Sequence, residues 1–154
     1  MNVYEFDTQD NQAYLYTTED QCRQCKPNPP RQLGANWSPP TFELVRSDEY
    51  RSNLPKSDFP TFTIATMVLS ARAVERLRPM LVACGEILPI RLSNDHDTFY
   101  LFNVTRVLDA VDMKRSEFMR LPSGGIMKYE RLVFDAATIP DEACLLYTSD
   151  AADE

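Results

Sequence analysis

The sequence predicts an α+β domain: a mostly antiparallel sheet carrying one main amphipathic helix and one short helix. Three observations lead there. Strand-like segments outnumber helical ones. The helical segments do not alternate with strands as they do in parallel βαβ units. Sustained three- and four-residue spacing of apolar side chains occurs in one stretch, residues 70–84.

Taken in order, VYEF (3–6) and AYLYT (13–17) read as two short strands joined by the polar turn DTQDNQ. Residues 18–40 read as an irregular surface loop. Within it, KPNPPRQLGANWSPP holds five of the eleven prolines, and proline has no N–H to give a strand ladder. FELVR (42–46) alternates as a strand, and RSDEYRSNLPKSDFP (46–60) is a second loop punctuated by Pro55 and Pro60. The main helix begins at Ser70, a residue type that caps helix N-termini well. Ala73, Val74, Leu77, Met80, Leu81 and Cys84 form its apolar stripe, with Arg72, Glu75, Arg76 and Arg78 opposite. Pro79 lies too deep for a first turn, which predicts a kink or a break into two short helices, and Gly85 is a natural stop.

EILPI (86–90) and TFYLFNV (98–104) read as antiparallel strands about the turn SNDHD (93–97). TRVLDAVD (105–112) reads as the short helix, with Val107, Leu108 and Val111 on one side. EFMRL, the turn PSGG and IMKYERLVF then read as strand, turn, strand, with Gly124 and Gly125 supplying the positive φ of a tight connection.

A chain of 154 residues suits one domain. At that length folding buries roughly 70% of the extended-chain surface. Acids outnumber bases 23 to 16. Asp150, Asp153 and Glu154 fall in the last eleven residues, leaving 20 acids against 16 bases before them. That balance, without clustered Lys or Arg, argues against a nucleic-acid partner. The N-terminus carries acids where a signal peptide needs bases, and TIATMVL (63–69) is far shorter than the ~20 residues of a membrane helix. A soluble, cytoplasmic protein is expected.

Chemistry-bearing motifs are sparse. CRQC (22–25) could be a redox or metal pair, but a proline-rich loop follows it, and only Cys84 and His96 remain in the body as further ligands. A chance pair or a loop staple is the plainer reading. DHD (95–97) holds the chain's one histidine, so any His-dependent general base must be His96. Its plainer reading is a solvated turn whose Asn and Asp side chains satisfy local backbone groups. Asp109, Asp112 and Glu117 could pair as acid and base, or form the wet edge of a short helix. NWS and NVT match glycosylation sequons that have no meaning in an unexported chain. There is no Walker loop, GxGxxG or EF-hand loop, so no metal or cofactor is expected.

Four stretches carry a resemblance: LSARAVERLRP (69–79), GEILPI (85–90), FYLFNVTRVLDAVDMKRSEF (99–118) and IMKYERLVFD (126–135). In this order and spacing they resemble immunity protein family 11 of bacterial polymorphic toxin systems. PKSDF (55–59) resembles that family's entry to its central part. The resemblance covers residues 50–142 well and the N-terminal third loosely. It implies a non-catalytic protein that neutralises a cognate toxin by direct binding.

The family usually continues past the VFD strand. Here CLLYTSDAADE (144–154) looks instead like a translated transposase adapter of the kind found at the ends of metagenome-derived reading frames. Residues 1–143 are therefore expected to form one immunity-protein-like domain incomplete at its C-terminus, followed by a non-native tail. By charge and expected exposure, the partner-contact candidates are Asp48, Glu49 and Tyr50 in one loop and Asp95 and Asp97 in another, with Trp37 as an aromatic anchor or a packing residue. Two other functions fit the residues: an enzyme centred on His96, Asp95 and Asp97, or a module binding a small ligand beside the main helix.

Overall fold

A computed structural model describes residues 11–25, 31–62, 66–106 and 108–139. Residues 3–6, the expected first strand, and the tail 144–154 lie outside the described residues. The architecture is α+β. The chain divides into two compact units, Tyr4–Arg106 and Val107–Glu154 with Met1–Val3.

The larger unit contains β1 (Tyr14–Tyr16), α1 (Glu19–Cys25), β2 (Thr41–Val45), β3 (Met67–Ser70), α2 (Ala71–Leu81), β4 (Gly85–Pro89), β5 (Arg91–Leu92) and β6 (Phe99–Val104). Two three-stranded sheets form, in the orders β1-β2-β5 and β3-β6-β4. Every pair is antiparallel except β2 with β5. A single sheet was the expectation. The division arises at Pro89–Arg91. Pro89 ends β4, and Ile90 still donates to Phe99 O across β6 (3.1 Å). Arg91 then donates to Pro40 O (2.9 Å), and Ser93 to Phe42 O (2.8 Å), so the chain crosses from one ladder to the other. Leu15, Phe42, Leu44, Val68, Leu88 and Leu101 are the centre of the core, all at most 5% exposed.

Helix α2 starts as the sequence predicts. Ser70 is extended (φ −67°, ψ 162°) and its hydroxyl accepts from Ala73 N at 3.1 Å, a cap of about 1 kcal/mol. Ala73, Val74 and Leu81 are buried, and Cys84 is buried just beyond. Met80 departs from the predicted stripe at 46% exposed. The expected break at Pro79 does not occur: one helix runs through it to Leu81. Proline deprives Glu75 O of its i+4 donor, but burial of Leu81 and the Val82 N–Arg78 O bond (3.1 Å) hold the last turn. Gly85 is no helix stop. It opens β4, where a side chain would strike the Asn103 carbonyl.

Two further expectations fail. Residues 18–40 are not wholly irregular, because α1 and a 3-10 turn at Gly34–Asn36 lie there. Glu19 pairs with Arg23 one turn on, and Gln24 reaches Ser38 O (3.0 Å), seating α1 against the segment that leads into β2. Among the described residues of 105–112 the predicted short helix is absent. Thr105 N and Arg106 N both bond Cys84 O at 3.1 Å. Val111 instead bridges Phe134, with Asp112 N donating to Val133 O and Asp135 N to Ala110 O (both 2.8 Å). Apolar spacing fitted either state, and extended pairing won.

The smaller unit holds the antiparallel hairpin of β7 (Glu117–Arg120) and β8 (Ile126–Arg131). Gly124 supplies the positive φ (93°) of its turn, while Gly125 does not adopt one. Phe118 and Tyr129 meet edge-on across the pair, and the Arg120 guanidinium lies 4.6 Å from the Phe118 ring centre. Among the described residues no helix is long and apolar enough to cross a membrane.

Candidate partner-binding surface

The two loops holding five of the six candidate residues leave the same end of the β1-β2-β5 sheet. The 46–54 loop follows β2 directly. The 93–98 loop follows β5 and is pinned back on β2 by Asn94, whose side chain accepts from Leu44 N (2.9 Å) and donates to Leu44 O (3.1 Å). A side-chain amide thus stands in for one more residue of strand. Lys56, just after the first loop, reaches the second and contacts Asp95 and Asp97, each at 2.7 Å.

The 46–54 loop is tied by its own residues. Leu54 N donates to Arg46 O (2.8 Å) and Asp48 N to Arg51 O (2.9 Å). The Asp48 carboxylate accepts from Tyr50 N (2.9 Å) and Arg51 N (2.8 Å) through one oxygen, and from Arg51 Nε (3.0 Å) and Nη2 (2.6 Å) through the other. Arg51 Nη1 also reaches Asn11 Oδ1 (2.5 Å). Asn11 and Asn53 take the positive φ values, 66° and 57°, that asparagine tolerates better than most residues. Hydrogen bonds from Arg51 foremost hold the Asp48 carboxyl below the usual carboxylate range.

The second loop is similarly committed. Asp97 N donates to Asp95 Oδ1 (2.9 Å), an Asx turn of the kind the sequence suggests. The Lys56 hydrogen bond lowers the Asp95 carboxyl's pKa, and its contacts with Asp95 and then Asp97 raise that of Lys56. His96 is exposed on this turn. The carboxylates beside it serve Lys56, and among the described residues no three His, Cys, Asp or Glu side chains gather as a metal seat.

An open depression of about 320 Å³ lies beside the α2 N-terminus, lined by Lys56, Asp58, Ser70, Arg72, Asp97 and Phe99 among others. Its charges already answer one another. Arg72 binds Asp58 (2.6 Å), Ser70 Oγ donates to the same carboxylate, and Lys56 binds Asp97. The deep apolar pocket that a small-ligand module needs is not what this depression offers.

Trp37 lies on another loop. Its Nε1–H donates to Pro89 O (2.7 Å) and its ring packs, half-buried, against the core. Glu86 fixes that loop by accepting from Leu33 N (2.8 Å), Gly34 N (2.9 Å) and Asn103 Nδ2 (2.8 Å). Burial opposes the Glu86 charge, yet those three donors outweigh it and lower the pKa.

Of the six candidates, the polar groups of Trp37, Asp48, Asp95 and Asp97 are therefore occupied within the chain. Glu49 and Tyr50 are exposed, and among the described residues their side chains bond to nothing. Sequence reasoning missed the partners that impose this division: Arg51, Lys56 and the Pro89 carbonyl.

The other clusters are structural. Cys22 and Cys25 lie on α1, and burial, then the neighbouring Cys22, push the Cys25 thiol up to about 12, away from the thiolate a redox pair needs. Asp112 caps the turn at 113–115 through Lys114 N (3.0 Å) and binds Arg115, while Glu117 binds Arg131.

A family model described as "Immunity protein family (Imm11)" matches residues 4–140. No curated protein matches the chain.

Proposed function

Because the chain belongs to the immunity protein family Imm11, we propose that it neutralises a cognate toxin of a bacterial polymorphic toxin system by binding it directly, in the cytoplasm, without catalysis. The observation that carries this reading is the match over residues 4–140. The geometry supports it in two ways. The loops at the end of β2 are fixed before any partner arrives, which lowers the ordering cost of association. The carboxylates next to His96 are held by Lys56, which disfavours an acid–base centre there.

The test is rescue. Cells induced to make the cognate toxin domain are expected to survive when the chain is co-expressed. Death despite soluble co-expression would contradict the proposal. Replacing His96 by alanine is expected to leave protection intact, and loss of protection with the fold preserved would favour the His96-centred enzyme.

A further inference from the structure

We infer that Tyr50 is the chain's preformed aromatic anchor for its protein partner, and that Asp48 is the positioning residue that presents it. The inference rests on the toxin-binding reading above and names where the contact is made. Tyr50 is 83% exposed, the most exposed of the chain's large hydrophobic side chains among the described residues. Such exposure is ordinary at a loose loop tip, but this tip is braced from both sides. Four hydrogen bonds end on the Asp48 carboxylate, one of them from Tyr50 N itself, and Arg51 carries the brace across to Asn11. A tyrosine has only two side-chain torsions to lose. Held on a fixed backbone, it offers a large apolar area at small entropic cost, which is why tyrosine recurs among the residues that dominate interfaces.

The neighbouring groups define the complement. Asp48 is neutralised by Arg51, so the charge beside Tyr50 that remains free to meet a partner is that of Glu49. The partner surface that fits is an apolar slot of ring width, with an acceptor for the phenolic O–H at its floor and an Arg or Lys on its rim. The carboxylates of Asp95 and Asp97, bound to Lys56, are scaffold in this arrangement.

The experiment titrates the full chain and its variants against the purified cognate toxin domain. Y50A is expected to bind on the order of 30-fold more weakly while melting at the wild-type temperature, since an exposed side chain contributes little to folding. D48A is expected to weaken binding as well, and D48A/Y50A to bind no more weakly than Y50A alone, because Asp48 acts through Tyr50. Wild-type affinity in Y50A would overturn the inference and leave the toxin-binding reading standing. Additive losses in the double variant would remove the positioning role. If the wild-type chain does not bind the toxin domain at all, both fall. If Y50A changes only self-association, the anchor serves a second copy and the inference is wrong.

Discussion

Replacing Gly85 with alanine is expected to destabilise the protein by about 2–3 kcal/mol, the upper part of the range for forced overpacking. A Cβ at this position would lie 2.2 Å from the Asn103 carbonyl oxygen and 3.0 Å from Phe102 Cζ. The first obstacle is backbone and cannot rotate away. Gly85 pairs with Val104 where β4 meets β6, so relief requires the ladder to open at that end. Glu86, the next residue, would then lose its aim at Leu33, Gly34 and Asn103, and the Trp37 loop would lose its pin. For a chain of this length the melting temperature should fall by roughly 5–10 °C. An unchanged melting curve would mean that β4 and β6 do not approach as described.

Phe42→Ala is expected to cost more, about 3–5 kcal/mol, the range for deleting a buried aromatic side chain. Phe42 is 1% exposed and meets Phe62 edge-to-face with ring centres 4.9 Å apart. It lies in the middle strand of the β1-β2-β5 sheet, and its carbonyl accepts from Ser93 N and Oγ, which begins the 93–98 loop. The cavity would therefore open beneath the surface proposed to meet the toxin. A fall in melting temperature of roughly 10 °C or more is expected, measured by thermal denaturation followed at 222 nm. A loss below about 1 kcal/mol would place this ring outside the core.

Much of the fold was legible because its signals are local. Ser70 ahead of a three-and-four apolar repeat marks the start of α2, and the PSGG turn marks the β7–β8 hairpin. The failures are positions where two local readings competed or where tertiary pairing decided. Prolines at 27, 29 and 30 masked the helix just before them, although Glu19 and Arg23 carry helical spacing. The apolar residues of 105–112 suited a helix equally well until Val111 paired with Phe134. The strand Met67–Ser70 begins inside TIATMVL (63–69), a short apolar run whose periodicity alone does not separate strand from helix.

The candidate surface was half legible. Charge and expected exposure picked out two loops that leave one end of the β1-β2-β5 sheet, but they could not tell a free carboxylate from an occupied one. Lys56 and Asp97 are 41 residues apart, and Trp37 and Pro89 are 52 apart. Nothing in either neighbourhood announces its partner. Arg51 was three residues from Asp48 and therefore in view, yet no spacing rule outside a helix predicts that it closes a ring of bonds around the loop.

If the chain neutralises a toxin by binding it, as proposed, inhibition must follow stoichiometry and not turnover. Titrating the chain into a fixed amount of the cognate toxin domain, while following the toxin's activity, tests that directly. Activity is expected to fall linearly and vanish at one equivalent, and to return when the two proteins are separated in denaturant and the toxin is refolded alone. Complete inactivation by a small fraction of an equivalent, persisting after separation, would contradict the account, because only turnover could produce it.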